Sequence, residues 1–173
     1  MTATIRRATV DDAAVLAELG TATFIETWAH LYSPADLHAY LDEHHATAAY
    51  AKALASPDYA IWIVERDGKA IGYAQAGPCS LPHADVRPED RELKRLYLVK
   101  SEQNGGTGRA LMDEAMAWML RDGQRSLWLS VWSENFGAQR FYARYGFGLA
   151  GEYEYIVGQQ RDREFIYRRP VQA

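Results

Sequence analysis

The stretch that most restricts how this chain can fold is ELKRLYLVKSEQNGGTGRALMDEAMAWMLRDG with the following SLWLSVW. It reads as an apolar and aromatic strand, a loop with Gly105, Gly106 and Gly108, an amphipathic helix, and a second apolar strand. A strand–helix–strand unit needs a crossover, so at least one strand pair must run parallel. The flanking sequence is of another kind. YAIWIVERDGKAIGYAQAG holds two β-rich runs around Asp67-Gly68, and both central positions of a type I′ turn need φ > 0, so an antiparallel hairpin is predicted.

The rest of the chain fills in around these units. IRRAT predicts a first strand, and Thr9 or Asp11 can cap a helix through VLAELGTATFIETW, with Gly20 a candidate for a bend or break. SPADLHAYLDEHH starts with Ser33 as N-cap and Pro34 at the first helical position, placing Leu37, Tyr40 and Leu41 on one face. A short helix, TAAYAKALAS, follows. After SLWLSVW, ENFGAQRFYARYGF predicts a helix closing at Gly146, and GEYEYIV and REFIYRRP predict two last strands joined by a turn around Gly158 to Arg163. No repeat or linker is visible in the 173 residues, so one domain is expected, of a mixed α/β layer type.

Composition narrows the function classes. With 48% hydrophobic and 24% charged residues the balance is that of a soluble globular chain. No apolar run approaches the roughly 20 residues of a membrane-spanning helix, and MTATIRRATVDD lacks the apolar stretch of a signal peptide. Cys79 is the single cysteine, which excludes an internal disulfide and favours a cytoplasmic setting. A net charge of −4 argues against nucleic acid as a partner, and Arg6-Arg7, Lys94-Arg95 and Arg168-Arg169 are scattered pairs rather than a basic stripe. No metal site is expected. His44 and His45 are adjacent, pointing about 100° apart on a helix, and no HExxH or Cys/His spacing occurs.

The glycine loop carries most of the chemistry. Glycines let a ligand approach main-chain N–H groups closely, and the following helix start adds unpaired donors and a positive dipole end. Together these suit a phosphate or pyrophosphate. A tight turn with no ligand is the plain alternative. A P-loop would need Lys and Ser/Thr after Gly108, where Arg109 and Ala110 stand. A dinucleotide fold expects an acidic end to the second strand, which here ends in Trp132 and Ser133.

Gln103, Gly106 and Gly108 match the Q/R-x-x-G-x-G/A pattern of the GNAT acetyltransferases. Asn135, Ala138, Phe141, Tyr142, Gly146 and Phe147 fill that family's N-x-x-A-x-x-F-Y-x-x-x-G-F in order. The chain therefore resembles a GNAT N-acetyltransferase over nearly its whole length, closest in pattern to the PaiA-like polyamine acetyltransferases through FIETWAHLYSPADLHAYL, RLYLVK and LWLSVWSEN. The resemblance implies an α/β fold with a mixed, mostly antiparallel central sheet of six to seven strands and helices on both faces. It implies acetyl-CoA as co-substrate and a small-molecule amine as acceptor, a polyamine or other small cationic amine. Protein N-termini, antibiotics and amino acids are the alternatives, as is a non-catalytic acyl-CoA-binding module. The aromatic final strands can close the sheet of one subunit or pair with a second copy, since many members form homodimers.

The same resemblance assigns roles. Gln103, Asn104, Gly105, Gly106, Thr107, Gly108 and Arg109 would hold the coenzyme pyrophosphate. Tyr97, Leu98 and Val99 would pair with the pantetheine arm, with the Leu98 N–H a donor to the thioester oxygen. One of the basic pairs could meet the coenzyme ribose phosphate. Asn135 would contact the coenzyme, or serve as a helix N-cap, or both. Tyr142 would protonate the leaving thiolate, its alternative being one aromatic among Phe141, Tyr145 and Phe147. The acceptor must lose a proton before it attacks. Glu92 occupies the spacing of a catalytic glutamate, with Glu26 or a water relay as fallback and a solvated strand-start charge as its plain reading. Trp28 and Tyr32 would wall the acceptor site beside Glu26 and Asp36, or would simply pack. Direct attack in a ternary complex is expected, because Cys79 has no identifiable His or Asp partner for a covalent route.

Overall fold

Asp67 (φ 53°) and Gly68 (φ 76°) adopt the left-handed pair that the hairpin requires. They join β2 (Ala60–Arg66) to β3 (Lys69–Pro78) in the computed structural model, which describes residues 2–173. The other strands are β1 (Thr4–Arg7), β4 (Arg91–Leu98), β5 (Leu127–Trp132), β6 (Gly148–Val157) and β7 (Gln160–Arg169). The helices are α1 (Ala13–Trp28), α2 (Pro34–His44), α3 (Thr47–Ala55), α4 (Thr107–Met119) and α5 (Phe136–Ala143). Hydrogen bonding orders one seven-stranded sheet as β1-β2-β3-β4-β5-β7-β6. Among the described residues only β4 and β5 run parallel; every other neighbouring pair is antiparallel.

Both faces of the sheet are covered. In β2, Ile61 and Ile63 point into a core with Leu16 and Leu19 of α1 and Tyr50 of α3. Trp62 and Val64 point the other way, into a core with Leu111, Met112, Ala115 and Met119 of α4. An unbroken apolar strand is what burial on two faces demands, even in an antiparallel setting. Among the described residues no helix is long and apolar enough to cross a membrane.

Three boundaries differ from expectation for identifiable reasons. Helix α1 runs through Gly20 without a break. A Cβ there would stand 2.2 Å from the Tyr50 hydroxyl and 2.6 Å from His45 Nδ1, so glycine serves close approach rather than bending. Helix α4 starts at Thr107, three residues before Ala110, because Gly106 (φ 86°) is its cap and Gly108 lies inside its first turn. The last turn is only Gly158-Gln159, since β7 pairs with β6 from Gln160 onward.

The irregularity that matters most is the central pair. Strands β4 and β5 pair only at Arg91–Leu127 and Glu92–Trp128. Beyond that point β4 stays with β3 as far as Leu98, and β5 stays with β7 as far as Trp132. The two halves of the sheet therefore part, leaving a wedge between residues 93–98 and 129–132. A register shift in β4 around Lys94 accompanies the parting, a bulge of the kind that re-aims neighbouring side chains.

Candidate active site

The wedge opens into two concave regions of about 850 Å³ and about 770 Å³, both within the usual range of ligand sites. The first lies against the glycine loop and the starts of α4 and α5. Gln103, Asn104, Gly106, Gly108, Arg109, Asn135 and Tyr142 line it. Asn104 (φ 65°) and Gly106 (φ 86°) are both left-handed, which turns successive N–H groups inward as an anion-binding nest. The first main-chain bond within α4 is Ala110 N–H to the Gly106 carbonyl, 3.1 Å. The N–H groups of Thr107, Gly108 and Arg109 precede it and are left for a ligand. Gln103 braces the loop by donating from Nε2 to the Leu98 carbonyl at 3.1 Å.

Strand alternation decides what β4 offers this cleft. Val99 N–H donates to the Ile71 carbonyl at 2.9 Å, on the β3 side. Successive residues face opposite edges, so the Leu98 and Leu96 N–H groups face the wedge, where β5 has moved away. Asn135 does act as an N-cap: its Oδ1 accepts from Ala138 N–H at 3.2 Å while its side chain also lines the cleft. The Arg6-Arg7, Lys94-Arg95 and Arg168-Arg169 pairs do not line the first cleft; Arg109 and Arg144 do. Arg6 is tied to Asp12 and Glu65, and Arg7 lies over the rings of Trp62 and Trp118.

The second cavity shares Leu96, Tyr97, Leu98, Gln103, Asn135, Ala138 and Tyr142 with the first. Tyr142 thus stands where the two meet. Burial pushes its phenol well above the ordinary tyrosine range, and no protein group among the described residues bonds its hydroxyl. The cavity's far walls come from α1, α2, β6 and β7. Trp28 meets Trp132 edge-on at 5.2 Å, bridging from the end of α1 to β5. The Tyr32 hydroxyl donates to Asp162 Oδ2 at 2.7 Å. Tyr40 and Tyr155 bond through their hydroxyls.

The acidic groups fall differently from the sequence expectation. Glu26 is exposed, accepts from Lys100 N–H at 3.2 Å and does not line the cavity. Asp36 accepts from Gln159 N–H at the β6–β7 turn. Neither lines the cavity: Glu26 turns to a main-chain donor at its rim, since Lys100 is a lining residue, and Asp36 to the β6–β7 turn outside it. Glu92 does line the cavity and is buried rather than solvated. It is engaged, though: Oε2 takes Lys94 Nζ and Ser80 N–H, each at 2.9 Å. Of the loop and strand residues, Gly105, Thr107 and Val99 lie outside the lining.

Sequence reading missed Glu164 and Asp162. Both line the second cavity. Burial, then the neighbouring Asp162, push the Glu164 carboxyl up to about 7, with Ser130 as a hydrogen-bond partner opposing the shift. In REFIYRRP a polar residue at a strand position looks like the solvent side of an alternation; the α1–α2 region, with Trp28, Tyr32 and Tyr40, covers that face. Cys79 lines neither cavity, and burial pushes its thiol up to about 11.

Residues 23–147 match the family described as Acetyltransferase (GNAT) family. An uncharacterized N-acetyltransferase of Mycobacterium bovis is 30% identical over 162 residues, covering 92% of this chain and 98% of that one. One of Lactobacillus delbrueckii subsp. lactis is 28% identical over 149 residues, or 86% of each. In fold the chain is similar to PaiA N-acetyltransferase from Thermoplasma acidophilum, solved in complex with coenzyme A. The TM-score is 0.78 at 21% identity, over 98% of this chain and 99% of that one. A split sheet with a glycine nest on one side, and a family match over most of its length, lead to one conclusion: the chain belongs to the GNAT family of acetyltransferases, acetyl-CoA-dependent enzymes.

Proposed function

We propose that the protein passes the acetyl group of acetyl-CoA directly to a small primary amine, with both substrates bound at once. The observation that carries this reading is the meeting of two cavities at Leu98 and Tyr142, with no cysteine or serine among the described residues that both share. Acetyl-CoA supplies the activated thioester. The nest at Asn104–Gly106 and the free N–H groups of α4 hold its pyrophosphate, and Arg109 and Arg144 offer cations to its remaining phosphate.

Glu164 takes the proton from the acceptor ammonium. A buried carboxyl near 7 is matched to that task, whereas Glu92 is committed to Lys94 and Ser80. The freed nitrogen bonds to the carbonyl carbon. Leu98 N–H donates to the carbonyl oxygen as charge builds there. Tyr142 gives its proton to sulfur as the C–S bond breaks, and regains one from the new amide nitrogen's surplus through solvent. Trp28, Tyr32 and the Asp162–Glu164 pair suit an acceptor that arrives as an ammonium ion, of which a polyamine is one example.

Coenzyme A release measured with a panel of amines tests the reading. Initial-rate lines that intersect on varying both substrates support a ternary complex; parallel lines, or an acetyl group found on Cys79, would overturn it. Tight acetyl-CoA binding with no release for any amine would instead identify a binding module.

A further inference from the structure

The second cavity holds an unmatched cation. Arg95, on β4, lines it together with Glu164. Its Nη1 donates to the Tyr50 hydroxyl at 2.8 Å and its Nη2 to the His44 carbonyl at 3.1 Å. The guanidinium also lies 5.3 Å from the centre of the Tyr50 ring. These partners are neutral, and no carboxylate among the described residues stands within ion-pair distance.

Glu43 is a carboxylate in these surroundings: it acts on His44 and Tyr155, and among the described residues it makes no ion pair with Arg95. Tyr40, Tyr50, Tyr73 and Tyr97 are the groups whose fields act on Arg95, and burial keeps each of them protonated. Burial lowers the His44 and His45 imidazoles, Glu43 opposing it at His44 and Arg95 adding to it at both. A cation withdrawn from water without an ionic partner is costly. Five N–H donors belong to a guanidinium, and the two bonds above leave several for a ligand.

In the same cavity Glu164 and Asp162 form an acidic pole, and among the described residues no salt bridge joins either to a cation. Tyr97 and Tyr155 line the same cavity, and each is close enough to feel both Arg95 and Glu164. One end of the cavity is therefore built for an ammonium ion and the other for an anion.

We propose that the acceptor carries a carboxylate besides its amine, and that Arg95 binds this carboxylate while Glu164 faces the amine. The acceptor class is then an amino-acid-like zwitterion rather than a polycation. This narrows, and rests on, the reading of the second cavity as the acceptor site. Arg95 acts as a specificity-determining residue and takes no part in proton transfer.

Matched pairs that differ only by the carboxylate test it: lysine against cadaverine, ornithine against putrescine, phenylalanine against phenethylamine, with spermidine alongside. Coenzyme A release is followed, and binding of each compound to the protein saturated with coenzyme A is measured by calorimetry. The expected result is preference for the amino acid of at least one pair by about tenfold or more in kcat/KM or in affinity. Arg95→Gln should bring that ratio close to one. Equal or better use of every decarboxylated partner, or of spermidine, by the unaltered protein overturns the proposal, whether or not Arg95→Gln folds. Carboxylate-dependent binding without coenzyme A release would uphold the Arg95 site while refuting the transfer reaction.

Discussion

The two halves of the wedge are made of different material. The side proposed for the coenzyme is main chain: left-handed residues at 104 and 106, unpaired N–H groups at the start of α4, and one strand edge at Leu96 and Leu98. The side proposed for the acceptor is side chain, contributed by α1, α2, β4, β5, β6 and β7. A main-chain site depends on conformations that few residues permit, so it leaves glycines at fixed offsets in the sequence. A side-chain site can be assembled in many ways, and its members sit far apart in the chain. Tyr142 belongs to both, which makes the boundary between them open to experiment.

The largest expected effect is at that boundary. Tyr142→Phe should lower kcat by about 10²- to 10⁴-fold while leaving coenzyme A affinity within about twofold, as read by steady-state kinetics and calorimetry. A matching loss of affinity would mean that Tyr142 belongs to the coenzyme side alone. Next comes Glu164→Gln, expected to cost about 10²-fold in kcat/KM at neutral pH. The carboxyl must be ionised to accept a proton, so the activity of the unaltered protein should rise with pH through about 7 and then level. The variant should lose that rising limb. If Glu92→Gln removes it instead, the base lies on β4.

On the main-chain side, Gly106→Val forces a β-branched residue to φ 86°. The strain of roughly 1–2 kcal/mol should weaken coenzyme A binding about tenfold or more, with little change in acceptor KM. Arg144→Ala, at the rim of the same cleft, should weaken it less than about tenfold, and less still at high salt. The smallest functional effect is expected of Gly20→Ala. It should lower stability by about 1–3 kcal/mol through the clash with Tyr50, seen as a lower Tm, with the coenzyme side untouched.

The difference between the sides also explains what was legible. Asp67-Gly68, Ser33-Pro34 and the glycine loop each encode a local conformation, and each stands where its residues place it. Gly20 misled because its reason is remote: Tyr50 and His45 approach α1 from elsewhere in the chain. Glu92 could be matched by spacing, but its partners Lys94 and Ser80 depend on the bulge and on the loop after β3. Glu26 and Asp36 were close in sequence to the aromatic wall and yet turn toward main-chain donors. Asp162, Glu164 and Arg95 sit on paired strands and acquire meaning only through what packs over their face, residues of α1, α2 and the turn between them that lie far away in the sequence.

The parting of β4 from β5 after two paired residues has a consequence for how such a chain can change over time. Each half of the sheet keeps its own neighbours, β3 on one side and β7 on the other, so neither depends on the gap for its integrity. Substitutions on α2, β6 or β7 can reshape what is admitted at one door while the donor's berth, fixed by glycines and strand edges, stays as it was. A lineage built this way could exchange customers without rebuilding the shop.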